Sequence, residues 1–290
     1  GLGATEKGSP APISDAAYLD LIHPYLSGAD IGMFLNAKRY EPENVAMAAD
    51  KGISFLRIGA DAGDGAKTYP VIEDVKKHGI TARYSMMKAY LLSPDALAEE
   101  AAQLEAHGLD EITIMDSAGT MLPQDAGQYV EALKDRLHIP VGFHCHNNLG
   151  LSTANALAAY ENGVDVLDCG LLGMARSAGN LPTEMAVALM HRKGEAGEVD
   201  LYQLLNFEDQ ELIPAMEKEG YHTPIKPKDL ILGYSGAHSS FMGTFRKVAE
   251  ECGVGLYPLI VETSKINRKN PGEELMREVA ARLQAKGAST

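Results

Sequence analysis

Six times between residue 29 and the region of Leu181 the sequence sets a short apolar segment ahead of a helix-forming one, and this rhythm restricts the fold more than any other feature. The strand-like pieces are ADIGMFL (29–35), ISFLRIG (53–59), ITARYSMM (80–87), EITIMDS (111–117), the run opened by Pro140 and centred on 141–143, and VDVLDCG (164–170). Each is short and largely apolar without strict alternation. A strand of that kind is buried on both faces, so the pattern predicts a parallel sheet covered by helices. Helices are expected over 42–51, 66–77, 95–108 behind Ser93 and Pro94, 123–137, 151–163, and from about Leu181. Ahead of the first strand, residues 1–12 read as a loop or ragged start. Helical spacing then runs from Ala16 to Tyr25, behind Ser14 and Asp15 as caps. Beyond Asp200 the rhythm stops. Residues 201–220 and 234–252 read as helices, with a link near 223–229 in HTPIKPKD, so the expected domains are a (β/α) barrel over 1–200 and a helical domain over 201–290.

The stretch most charged with chemistry is IPVGFHCHNNLG at 139–150. Side chains alternate along a strand, so His144 and His146 point to one side and Cys145 to the other, and two imidazoles at i and i+2 can meet on one metal ion. Active sites of parallel barrels lie at the C-terminal ends of the strands, where this pair falls. A pair of surface histidines at a strand end has the same spacing, so the motif alone leaves both readings open.

Composition excludes several partners. The formal net charge is −14, with no basic run for nucleic acid or an anionic membrane. Cys145, Cys169 and Cys252 are odd in number and widely spaced, as reduced thiols of a cytoplasmic protein would be. No uncharged apolar stretch is long enough to span a membrane, and the opening residues lack the regions of a signal peptide. The glycine-rich GADAGDGAK (59–67) lacks Walker spacing and is expected to form a βα turn, and the Met residues of YSMMK are expected to fill core.

Four segments in order, IMDSAGTM (114–121), VGFHCHNNLGLSTANALAAYENG (141–163), GMARSAGNLPTE (173–184) and LGYSGAHSSF (232–241), resemble the pyruvate-specific metal-dependent aldolases typified by 4-hydroxy-2-oxovalerate aldolase, within the DRE-TIM metallolyases. The resemblance implies a TIM-type barrel with a C-terminal helical domain, and a cytoplasmic enzyme of aromatic-hydrocarbon catabolism. It makes His144 and His146 ligands of a divalent metal, manganese first, with magnesium, cobalt or zinc as alternatives. Two departures accompany it. The family's third ligand is the aspartate of an Arg-Asp-Gly motif on the first strand, and this chain has no Arg-Asp pair. If the His-x-His strand is the seventh, the strand at 29–35 is the third, so the first two have no counterpart here. At 238 the family commonly has a tyrosine, proposed as an acid. Here it is His238, with Tyr234 four residues earlier as a substitute, and an imidazole is a competent acid or base near neutral pH.

The chemistry implied is retro-aldol cleavage of a 4-hydroxy-2-oxo acid to pyruvate and an aldehyde, with the metal as Lewis acid. Ser117 is the expected donor to a substrate carboxylate and Asn180 a second substrate contact, with turn chemistry explaining Asn180 equally. Asp116 is expected behind the metal ligands, with capping or ion pairing as the alternative. Two other readings stand beside this one: an acyl-CoA lyase or synthase of the same superfamily, and an impaired barrel that binds a partner such as an acylating aldehyde dehydrogenase, as a homo- or hetero-oligomer. Without the Arg-Asp-Gly strand, weak metal binding and little turnover are expected.

Overall fold

The structure, a computed structural model, describes residues 1–4, 11–25, 28–221 and 227–287. Its six strands are β1 (Gly32–Asn36), β2 (Phe55–Asp61), β3 (Thr81–Met87), β4 (Glu111–Asp116), β5 (Val141–Cys145) and β6 (Val166–Leu167). They lie in one sheet in chain order, with β1 and β6 as its outer members. The ladders of β1 with β2, β2 with β3 and β3 with β4 are parallel, with Gly32 facing Phe55, Phe55 facing Thr81 and Arg83 facing Glu111. Helices α1 (Asp15–Ile22), α2 (Pro42–Asp50), α3 (Tyr69–Lys77), α4 (Pro94–Ala106), α5 (Pro123–Lys134), α6 (Ser152–Glu161) and α7 (Thr183–Lys193) are interleaved with them. The fold is α/β, a parallel sheet with helices and a helical C-terminal part as the alternation predicts, and of the TIM-barrel type that the resemblance implies.

The chain divides into two compact units. One comprises Gly1–Met115, Gln128–Gly142 and Gly163–Val166, and the other Asp116–Gly127, Phe143–Asn162 and Leu167–Thr290. In the first, Leu56 and Ile58 on β2 and Ala82, Tyr84 and Met86 on β3 are buried. Near the strand starts Arg57 and Arg83 both pair with Glu111, and the Arg83 guanidinium lies 3.9 Å from the centre of the Phe55 ring. At the strand ends Lys88 Nζ is 3.2 Å from Asp61 Oδ2, both side chains buried. The glycine-rich turn after β2 is filled from within: Gly63 N and Gly65 N donate to the Glu100 carboxylate at 2.8 and 2.6 Å, which occupies the amides a phosphate would need.

Of the stretch expected to be a loop or ragged start, residues 1–4 form a turn, and 5–10 lie outside the described residues. Leu2 is buried and its N–H donates to Phe34 O at 2.8 Å, while Gly3 N donates to Asp15 Oδ2 at 2.6 Å. The strand expected over 164–170 shortens to two residues, although Asp165 N and Asp168 N still donate to Val141 O and Phe143 O at 2.8 and 3.0 Å.

In the second unit, α8 (Leu201–Phe207), α9 (Ile213–Lys218), α10 (Pro227–Ser235), α11 (Met242–Cys252), α12 (Leu256–Ile266) and α13 (Glu273–Gly287) follow α7. Leu232, Phe245, Val248, Leu259, Ile260 and Met276 form the core of α10 to α13. Two expected helices are interrupted. Over 201–220 a π-helical turn, Glu208–Leu212, precedes Pro214, which has no N–H to donate to the turn before it. Over 234–252 the chain breaks after Ser235, where Gly236 takes φ +70°. The link expected near 223–229 falls largely outside the described residues. No helix among the described residues is long and apolar enough to cross a membrane.

Candidate metal centre and active site

Strand alternation places the imidazoles as expected. Val141, Phe143 and Cys145 are buried on one side of β5, and burial pushes the Cys145 thiol well above its ordinary pKa, leaving it unreactive. His144 and His146 share the other side, their ring centroids 5.3 Å apart and their planes 76° to each other. The two rings are oriented separately. His144 Nδ1 lies 3.2 Å from Asp168 Oδ2, and His146 Nδ1 lies 3.2 Å from Gly179 O. Because each partner is an oxygen acceptor, each Nδ1 carries the proton and each Nε2 keeps its lone pair. His144 Nε2 is buried without a hydrogen-bond partner. Burial, followed by the charges of Arg176 and His144, lowers the His146 pKa to about 2, so this ring is neutral at ordinary pH. Two imidazoles with fixed Nδ1 protons, the His144 Nε2 buried and orphaned, fit two positions of a divalent ion. Among the described residues no group of three or more His, Cys, Asp and Glu side chains forms a cage around one.

Asp116 ends β4 fully buried, with Oδ1 accepting from Thr120 N at 3.0 Å and Oδ2 from Met121 N at 2.9 Å. Burial raises its pKa to about 6 against those amides and His144. Its hydrogen bonds are those of the capping alternative, closing a turn at 116–121. Gly119 in that turn has φ +60°, and a Cβ there would lie 2.6 Å from Asn148 N. Ser117 is buried in the same turn, and its carbonyl accepts from Arg176 Nη2 at 3.2 Å.

The loop after β6 completes this side. Asn180 forms an isolated bridge with His146, its Oδ1 is buried without a partner, and its side chain lines a cavity of about 390 Å³ with Asn147, Glu184, Met185, Ile213 and Tyr221. Gly179, at φ +84°, would bring a Cβ within 2.5 Å of Gly173 O, so glycine is needed where its carbonyl orients His146. His238 caps the turn Ser239–Phe241: Ser240 N donates to its Nδ1 at 3.2 Å, and its charge is among those felt by His146. The side chain of Tyr234 lies outside the described residues. Sequence reasoning overlooked Asp168 and Arg176. Asn148 lies in the turn after β5, and its buried Nδ2 donates to Ser177 Oγ and Asp229 O, both at 2.8 Å.

Residues 63–210 match the HMGL-like family. The chain is 32% identical over 291 residues to 4-hydroxy-2-oxovalerate aldolase 2 of Rhodococcus jostii (strain RHA1), covering 100% of this chain and 84% of that one. Over 281 residues it is 32% identical to 4-hydroxy-2-oxovalerate aldolase of Brevibacillus brevis, covering 96% and 82%. Among solved structures, the carboxyl transferase domain of Rhizobium etli pyruvate carboxylase with pyruvate and biocytin matches with a TM-score of 0.77 at 16% identity, over 99% of this chain and 53% of that one. At that identity the likeness is one of fold alone.

Proposed function

Because the chain belongs to the 4-hydroxy-2-oxovalerate aldolase family, and is accordingly a metal-dependent carbon–carbon lyase, we propose that it cleaves a 4-hydroxy-2-oxo acid to pyruvate and an aldehyde. The observation that carries this reading is the imidazole pair beside β5, with both Nδ1 atoms fixed by oxygen acceptors. A divalent ion, manganese first, would supply a Lewis acid for the 2-oxo acid. His144 and His146 would hold it. Asp168 and the Gly179 carbonyl keep those rings turned, so that no rotation is needed as substrate arrives. Ser117 and Asn180 are the proposed contacts to substrate oxygens. His238, or Tyr234 as its substitute, takes the proton of the 4-hydroxyl group. As that proton leaves, the C3–C4 bond breaks, the aldehyde departs, and the electron pair is delocalised onto the 2-oxo oxygen as pyruvate enolate. A proton delivered to C3 then yields pyruvate.

We place this site in a cytoplasmic oligomer, keep the barrel and helical portions at 1–200 and 201–290, and suggest an acylating aldehyde dehydrogenase as the partner that consumes the aldehyde. Pyruvate release coupled to lactate dehydrogenase tests the reading, with Mn2+, Mg2+, Co2+ and Zn2+ compared. Little turnover is expected of this chain alone; with a segment bearing the Arg-Asp-Gly strand restored ahead of it, activity that depends on metal and vanishes in His144→Ala is expected. Metal-independent release, or a His144→Ala variant with full turnover, would reject it.

A further inference from the structure

The loop that turns His146 also carries a cation to it. Leu172, Gly173, Ser177 and Gly179 have φ values of 53°, 63°, 60° and 84°, so a short stretch takes the left-handed conformation four times, twice at residues with a Cβ. A buried polar network holds that backbone. Asn148 Nδ2 donates to Ser177 Oγ at 2.8 Å, and Ser177 Oγ donates to Asp229 Oδ1 at 3.3 Å. Arg176 immediately precedes this anchor. Its Nη1 donates to Ser239 Oγ at 2.8 Å and its Nη2 to Ser117 O at 3.2 Å. One guanidinium therefore links the end of β4, the loop after β6 and the turn that starts at His238. A planar guanidinium matches a carboxylate best. A carboxylate has about four acceptor positions, so it can face a metal ion and a guanidinium together.

We propose that Arg176 is the residue that anchors the carboxylate of the 2-oxo acid beside His144 and His146. The assignment rests on the aldolase reading for its substrate, but its core claim, binding of a small carboxylate, can be measured without turnover. Arg176→Gln and Arg176→Lys in the full chain provide the test, with pyruvate and oxalate affinities taken by calorimetry in the presence of Mn2+. Arg176→Gln should weaken pyruvate by about tenfold or more, the effect of losing a charge-assisted pair. The KM for a 4-hydroxy-2-oxo acid should rise in step, with a smaller change in kcat. Arg176→Lys should recover part of the loss, because it keeps the charge and not the fork. Mn2+ should bind Arg176→Gln at least as tightly as it binds the wild type, since a neighbouring cation has been removed. A collapsed loop would weaken Mn2+ binding instead.

Unchanged pyruvate affinity in Arg176→Gln, loss of Mn2+ binding with it, or a wild type that binds no pyruvate would each overturn the assignment. If the wild type releases pyruvate from a 4-hydroxy-2-oxo acid and Arg176→Gln keeps its KM, the assignment falls and the aldolase reading stands. If the wild type releases none, yet binds pyruvate in a way that requires Arg176, the aldolase reading falls and the assignment stands.

Discussion

At the scale of single residues, the site depends on groups that hold other groups. Asp168 accepts from His144 Nδ1 at 3.2 Å and so decides which ring nitrogen is free to bind metal. Replacing it with Asn removes the charge and permits the other tautomer, so Mn2+ affinity by calorimetry should fall about 10- to 100-fold. An unchanged affinity would mean that the ring is held by packing. Lys88 presents a second case. It takes a left-handed backbone, φ 55° and ψ 44°, and pairs with the buried Asp61 at 3.2 Å. Lys88→Met strands that carboxylate, a change that costs about 3–5 kcal/mol when a buried pair is broken. The low end is expected, because the exposed Lys38 Nζ lies 3.7 Å from the same oxygen. Urea unfolding should recover much of the loss when Asp61→Asn is added. The His pair was legible in the sequence because strand alternation is local. Asp168 and Arg176 were not, because what assigns them is a partner reached through tertiary structure. The acid in VLDCG and the base in GMARSAGN offered residue type without geometry.

At the scale of elements, the strands and most helices could be read in advance because burial on both faces leaves an apolar run that survives in one dimension. The interruptions could not. The π turn at Glu208–Leu212 arises where a helix accommodates Pro214, and it buries Glu208 against Glu184. Burial, then the Glu184 charge, raises the Glu208 pKa from 4.5 to about 7. The folded state therefore holds this proton more tightly than the unfolded chain. Its contribution to stability is fully present below about 4.5 and is lost as pH rises through about 7. Glu208→Gln cannot ionise, so its melting temperature should exceed that of the wild type at pH 8, with the gap closing toward pH 5. A constant gap between those pH values would show that Glu208 does not titrate in the fold.

At the scale of the whole molecule, every group assigned to the metal centre belongs to one of the two compact units. His144 and His146 lie in Phe143–Asn162, and Asp168, Arg176, Gly179 and Asn180 in Leu167–Thr290. Sequence rhythm revealed the six-stranded sheet but not this division, because the boundary falls inside β4 and β5, where hydrophobic pattern does not change. The division makes the ligand set measurable without assaying turnover. A ligand that binds only the folded state stabilises it by about 2.7 kcal/mol at a hundred times its Kd, and amide exchange shows where that protection is felt. If the two imidazoles and solvent or substrate oxygens hold the ion, Mn2+ should slow exchange around 143–147 and 168–181. Exchange in β1 and β2 should stay the same, and His146→Ala should erase the effect. Slowing of equal size throughout the chain, kept in His146→Ala, would show that the ion acts elsewhere than at the imidazole pair.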